Sequence, residues 1–70
     1  MNGLEKRLKA LRKAKKMTQG QVADALGLQR STYTKYETGR SEPTLNTVCK
    51  LAALFSVTVD ELLLWERGGE

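Results

Sequence analysis

Apolar residues recur at helical spacing in five separate groups along the chain. Leu4, Leu8 and Leu11 stand at i, i+4 and i+7, with Ala10 and Ala14 beside them. Val22, Ala23 and Leu26 make a second short stripe, and Tyr33 and Tyr36 a third. Leu45, Val48, Leu51, Ala52 and Phe55 form a fourth, and Val59, Leu62 and Leu63 close the pattern. Spacings of three and four residues put side chains on one face of an α-helix. The pattern therefore predicts an all-α, compact five-helix domain whose core is assembled from all five stripes. It is read as a single domain over residues 1–70, with the packed core at about 4–63 and a frayed tail over 67–70. No internal repeat, low-complexity segment or linker interrupts it.

The residues between the stripes supply helix ends. Asn2 can cap the first helix, with Glu5 three residues later. Thr18 with Gln21, and Thr58 with Glu61, have capping-box spacing. Thr44 can cap the fourth helix. Gly27 stands where a helix closes through a left-handed residue, and Leu28 then reads as a buried hinge. Gly39-Arg40-Ser41-Glu42-Pro43 is a turn by composition. Gln29 sits at the start of the third helix, where glutamine is a poor cap.

The third helix, residues 30–38, shows two unlike faces. With Tyr33 and Tyr36 inward, Ser31, Thr34, Lys35 and Thr38 fall outward. Hydrogen-bonding and basic groups on an exposed helix suit insertion into the major groove of DNA. Arg30 can bind guanine O6 and N7 in a bidentate way, or a phosphate. Thr34 can place its methyl on a thymine, and Lys35 can reach a guanine or a phosphate. Gln29 and Ser31 complete the expected base-contact set, although Gln29 reads equally as a residue without a role. Arg12 borders the apolar face of the first helix, so its charge needs a partner. Cys49 reads as a small buried or half-buried hydrophobe.

At Thr18–Glu37 the chain resembles the lambda-repressor/Cro family of prokaryotic and phage regulators, the XRE family. The matching residues are Thr18-Gln19, Val22-Ala23, Gly27-Leu28, Ser31-Thr32 and Lys35-Tyr36-Glu37. They continue through Gly39-Arg40, Glu42-Pro43, Leu51-Ala52 and Val57–Leu62. The resemblance implies a lambda-repressor-like fold with a helix-turn-helix formed by helices 2 and 3. It implies an ion pair between Arg12 and Glu37. It also implies phosphate contacts from Gln19 and from Arg40 in the loop after the recognition helix, with Thr18, Lys16 and Tyr36 added to that set. Tyr33 departs from the aliphatic residue usual at its position, so its hydroxyl must find a partner or solvent. Ser56 replaces the Gly or Asn that commonly ends the fourth helix, which predicts a slightly strained or differently closed turn there. Leu54, Leu64 and Trp65 are surplus to the core: Trp65 can pack against the end of the domain, or the three can form an apolar partner surface, and the resemblance implies dimerisation through this C-terminal portion.

Charge and composition narrow the function further. The net charge is +4. Lys6, Arg7, Lys9, Arg12, Lys13, Lys15 and Lys16 crowd the first quarter, which reads either as a solvated face or as attraction to an anionic partner. A lone cysteine and the absence of histidine exclude an internal disulfide, a cysteine–histidine nucleophile and the usual metal sites. No metal, no cofactor and no catalysis are expected. No apolar run suits a membrane span or a signal peptide, and a cytoplasmic setting is expected. The expected partner is double-stranded DNA with a near-palindromic operator, bound by a homodimer. The function so read is that of a transcription regulator, a repressor. The alternative is an antitoxin- or adaptor-type protein-interaction module built on the same fold.

Overall fold

A computed structural model of the chain describes residues 3–63. Five α-helices follow in order: α1 Leu4–Ala14, α2 Gln19–Leu26, α3 Arg30–Glu37, α4 Leu45–Leu54 and α5 Val59–Leu63. There is no strand among the described residues. The fold is all-α, as expected. α3 packs on both α1 and α2, α4 lies against α2 and α5, and α5 returns to α1. Leu8, Val22, Tyr33, Val48, Leu51 and Leu62 are fully buried where these elements converge. Leu11, Leu28, Leu54, Val57, Val59 and Leu63 are half-buried against that core. Leu28 is thus a half-buried hinge rather than a buried one.

Local chemistry explains most of the boundaries. The Thr18 Oγ1 accepts from the Gln21 backbone N–H at 3.1 Å, while the Thr18 N–H donates to Gln21 Oε1 at 2.8 Å. Thr58 and Glu61 repeat this reciprocal arrangement at 2.8 and 3.0 Å. Thr44 Oγ1 accepts from the Thr47 N–H at the start of α4. Two orphan donors at a helix start are satisfied by each full box. At the end of α2, Gly27 has φ 71°, and the Leu28 N–H reaches back to the Ala23 carbonyl at 2.9 Å. A Cβ at Gly27 would meet nothing within 4 Å, so the glycine serves backbone conformation and not space.

Three expectations are corrected here. Asn2 lies outside the described residues, and the N-cap position of α1 is held by Gly3 at φ 80°, without a side-chain cap. Glu5 accordingly sits at the second helical position, still in the first turn. Leu45 is 72% exposed, although its spacing matches the α4 stripe. Cys49, one turn further along the same edge, is exposed as well. Both lie off the centre of the buried Val48–Leu51–Ala52 face and stay exposed among the described residues. Periodicity gives a direction around the helix, not the reach of the elements packed upon it.

Among the described residues, two that are not glycine adopt left-handed backbone, Lys16 at φ 56° and Ser56 at φ 58°. Ser56 matches the strained turn expected after α4. Its N–H donates to Ala53 and the next N–H, of Val57, donates to Ala52, so the turn is stitched closed despite the strain. A left-handed L-residue costs roughly 1–2 kcal/mol, partly offset by the greater unfolded freedom of glycine. Ser56→Gly is therefore expected to raise stability by about 0.5–1 kcal/mol. A urea midpoint that stays put or falls would refute the strain argument.

Candidate nucleic-acid interface

The outward face of α3 forms an open concavity of about 530 Å³ lined by Gln19, Arg30, Ser31, Thr34, Lys35, Thr38 and Arg40. Three cations and four hydrogen-bonding side chains meet there, and no acid does. The backbone builds this arrangement. Inward packing of Tyr33 and Tyr36, whose rings meet edge-to-face at 6.3 Å, fixes the rotation of α3. The four lining residues between Ser31 and Thr38 then face outward. Beyond Gly39, the Arg40 N–H donates to the Lys35 carbonyl at 3.0 Å, which folds the loop back and sets Arg40 beside the end of α3. Gln19 reaches the same concavity from the first turn of α2.

Beneath this face runs a polar relay. Arg12 Nε donates to Glu37 Oε2 at 2.7 Å and Nη2 to Oε1 at 3.2 Å, a forked charge-assisted pair. Arg12 Nη1 also donates to the Met17 carbonyl, tying α1 to the turn before α2. Gln19 Nε2 donates to Glu37 Oε1 at 3.1 Å, and Gln19 Oε1 accepts from the Thr34 hydroxyl at 3.0 Å. Three helices thus converge on Glu37, the sole acid of α3 and its one buried charged residue. Burial pushes the Glu37 carboxyl up, but the hydrogen bonds from Arg12 and its neighbours outweigh that and hold it below its ordinary 4.5. The hydrogen bond to Glu37 raises the Arg12 guanidinium in turn. Burial first, and the nearby Glu37 second, push the Tyr33 phenol well above its usual range. The Tyr33 hydroxyl is fully enclosed and interacts with the Glu37 carboxylate without reaching good hydrogen-bond geometry.

The residues singled out by sequence separate into three groups. Arg30, Ser31, Thr34, Lys35, Gln19 and Arg40 come together in the concavity. Thr18, Lys16 and Gln29 are exposed outside it, and Gln29 caps α3 without a side-chain bond. Tyr36 is only 9% exposed, which makes it mainly a packing residue. Thr38 lines the concavity; its outward direction was legible, but no role was attached to it. Leu54 is half-buried against the core rather than an exposed surface, and Leu64 and Trp65 lie outside the described residues. Among the described residues no cluster of cysteines and acids could hold a metal ion, and no helix is long and apolar enough to cross a membrane.

Residues 8–62 match the family model described as Helix-turn-helix (HTH_3). The chain belongs to the XRE-type helix-turn-helix family. In this family setting α2 and α3 are the helix-turn-helix, and Gly27-Leu28-Gln29 is its turn. The chain is 47% identical over 61 residues to the HTH-type transcriptional regulator AnsR of Bacillus subtilis, covering 87% of this chain and 53% of that protein. It is 39% identical over 59 residues to the cryptic phage CTXphi transcriptional repressor RstR of Vibrio cholerae, covering 84% and 53%. It is 38% identical over 61 residues to the HTH-type transcriptional activator BcrR of Enterococcus faecalis, covering 87% and 30%. The chain spans about half the length of the first curated relatives it matches. No solved structure gave a significant match.

Proposed function

We propose that this XRE-type domain is a sequence-specific double-stranded DNA-binding transcription regulator, acting as a repressor, that reads the major groove with α3. The observation that carries this reading is the acid-free concavity of Arg30, Ser31, Thr34, Lys35, Thr38, Gln19 and Arg40. An exposed helix with three cations around it attracts an anionic duplex, and the one acid of α3 is withdrawn into an ion pair. Arg30 and Ser31, in the first turn, lie at the end that meets base edges. Lys35 follows one turn later, and Gln29 stands at the helix entrance. Arg40, Lys16, Thr18 and the remaining Gln19 N–H contact phosphates, while Tyr36 stays a packing residue beneath them.

One such domain spans a half-site. A homodimer on a near-palindromic operator, with half-sites about one helical turn (~34 Å) apart, gives useful affinity. Repression is the sense carried over from RstR, while BcrR is named an activator. The test is selection of bound duplexes from a random-sequence pool at near-physiological salt. Enrichment of an inverted repeat is the expected result, and recovery of no common sequence would overturn the proposal.

Arg30 then provides a direct check on base reading. Arg30→Ala is expected to cost on the order of 1–3 kcal/mol on the enriched duplex and to relax preference at one base position. Equal losses on the operator and on random DNA would remove Arg30 from the base-contact set.

A further inference from the structure

We propose that Thr34 is a reader of the thymine methyl group and that Gln19 is the residue that positions it. The inference rests on the DNA-binding reading above and specifies what one position of α3 recognises. A threonine carries two groups on its Cβ, and a helix permits two rotamers that exchange their places. The Thr34 hydroxyl donates to Gln19 Oε1 at 3.0 Å, which selects one of them. The Gln19 amide is itself fixed in orientation, because its Nε2 donates to Glu37 Oε1 at 3.1 Å. Turning that amide over would set its oxygen against a carboxylate, two acceptors facing each other. Glu37 is held in turn by the forked bond from Arg12.

The chain of constraint runs from an ion pair on α1 to a side chain in the concavity. With its hydroxyl proton engaged by Gln19, Thr34 offers its Cγ2 methyl to whatever enters. The major-groove edges of the four bases carry one apolar substituent, the C5-methyl of thymine. Arg30 and Lys35 can read hydrogen-bond acceptors on either side of it, whereas Thr34 supplies an apolar contact of matching size. Its preference is for a 5-methylpyrimidine, not for a donor or acceptor pattern. Gln19 touches this base through Thr34 and so acts as a positioning residue.

The experiment takes the duplex enriched from the random pool and replaces its thymines one at a time by deoxyuridine. This removes a methyl group and leaves base pairing and the O4 acceptor intact. Wild-type protein is expected to lose about fourfold in affinity at one position per half-site, the size associated with burying one methyl-sized group. Thr34→Ser, which keeps the hydroxyl bond and lacks the methyl, should bind thymine and deoxyuridine alike there. Thr34→Val should retain the discrimination. Gln19→Ala should bring the ratio towards one while the protein still unfolds cooperatively. A merely structural role for Gln19 would weaken both duplexes equally and leave the ratio intact, overturning its positioning role. Equal binding of thymine and deoxyuridine by wild type at every position overturns the methyl-reading role, as does discrimination that survives in Thr34→Ser. Failure to enrich any duplex overturns the DNA-binding reading itself.

Discussion

Arg12→Met is expected to leave most of the protein unfolded at 37 °C. The Glu37 side chain is 2% exposed, and Arg12 is its cationic partner at 2.7 Å. Without Arg12, the carboxylate keeps the Gln19 amide but has no compensating charge. Removing one member of a buried pair typically costs 3–5 kcal/mol, because the other charge remains desolvated. A domain of this length has a total stability of roughly 4–10 kcal/mol, so the loss is of the same order as the whole. Methionine also fails to donate to the Met17 carbonyl, which frees the turn between α1 and α2. The double variant Arg12→Met, Glu37→Leu should recover much of the loss, since apolar replacement of both partners is often neutral. Urea unfolding of the three proteins is the measurement. A single variant within 1 kcal/mol of wild type would mean that Glu37 finds water or another partner and that the pair is not a structural anchor.

The same pair fixes the sign of the pH response. The Glu37 carboxyl is lowered from 4.5 in the folded protein, so the unfolded chain binds the proton first. Its contribution is present above the unfolded value and is lost as pH falls through the lower folded value. Wild type should therefore lose stability below about pH 4.5 more steeply than the double apolar variant, which has no carboxyl at this position.

The fold was legible because its signals are local. Stripe spacing placed the helices, the Thr18–Gln21 and Thr58–Glu61 boxes placed two of their starts, and Gly27 placed an end. Ser56 betrayed its left-handed turn by standing where glycine is usual. Exposure was less legible. Leu45 has core spacing yet is exposed, because burial depends on which faces of α4 its neighbours pack against, and the α4 sequence does not encode that. Lys16 gave no hint of positive φ. At the site, the outward set on α3 followed from period alone, and the Arg12–Glu37 pair from resemblance to a family. The Gln19 relay was only half visible. It joins residues 15 and 18 positions apart, and the direction of an amide depends on both partners at once. The enclosure of the Tyr33 hydroxyl beside Glu37 is likewise a product of assembly, not of any local pattern.

Raising salt from 50 to 200 mM is expected to reduce operator affinity by roughly 10² to 10⁴. Each phosphate neutralised by a cation contributes a slope of about −0.9 in log affinity against log salt. If Lys16 and Arg40 alone bind phosphate, a dimer neutralises four, and a fourfold rise in salt costs about two decades. If Arg30 and Lys35 also bind phosphate instead of bases, the number doubles, and so does the loss in decades. The slope therefore discriminates between the two roles open to the α3 cations. Arg40 is the cleanest probe, because its place is set by the backbone bond from its own N–H to Lys35, which alanine preserves. Arg40→Ala should weaken operator and random DNA alike and make the slope shallower by about one unit per protomer. Arg30→Ala should change the preferred sequence more than the slope. Should Arg40→Ala leave the slope untouched, the loop after α3 would not lie on the sugar-phosphate backbone. The concavity would then be entered by something other than a duplex lying along α3.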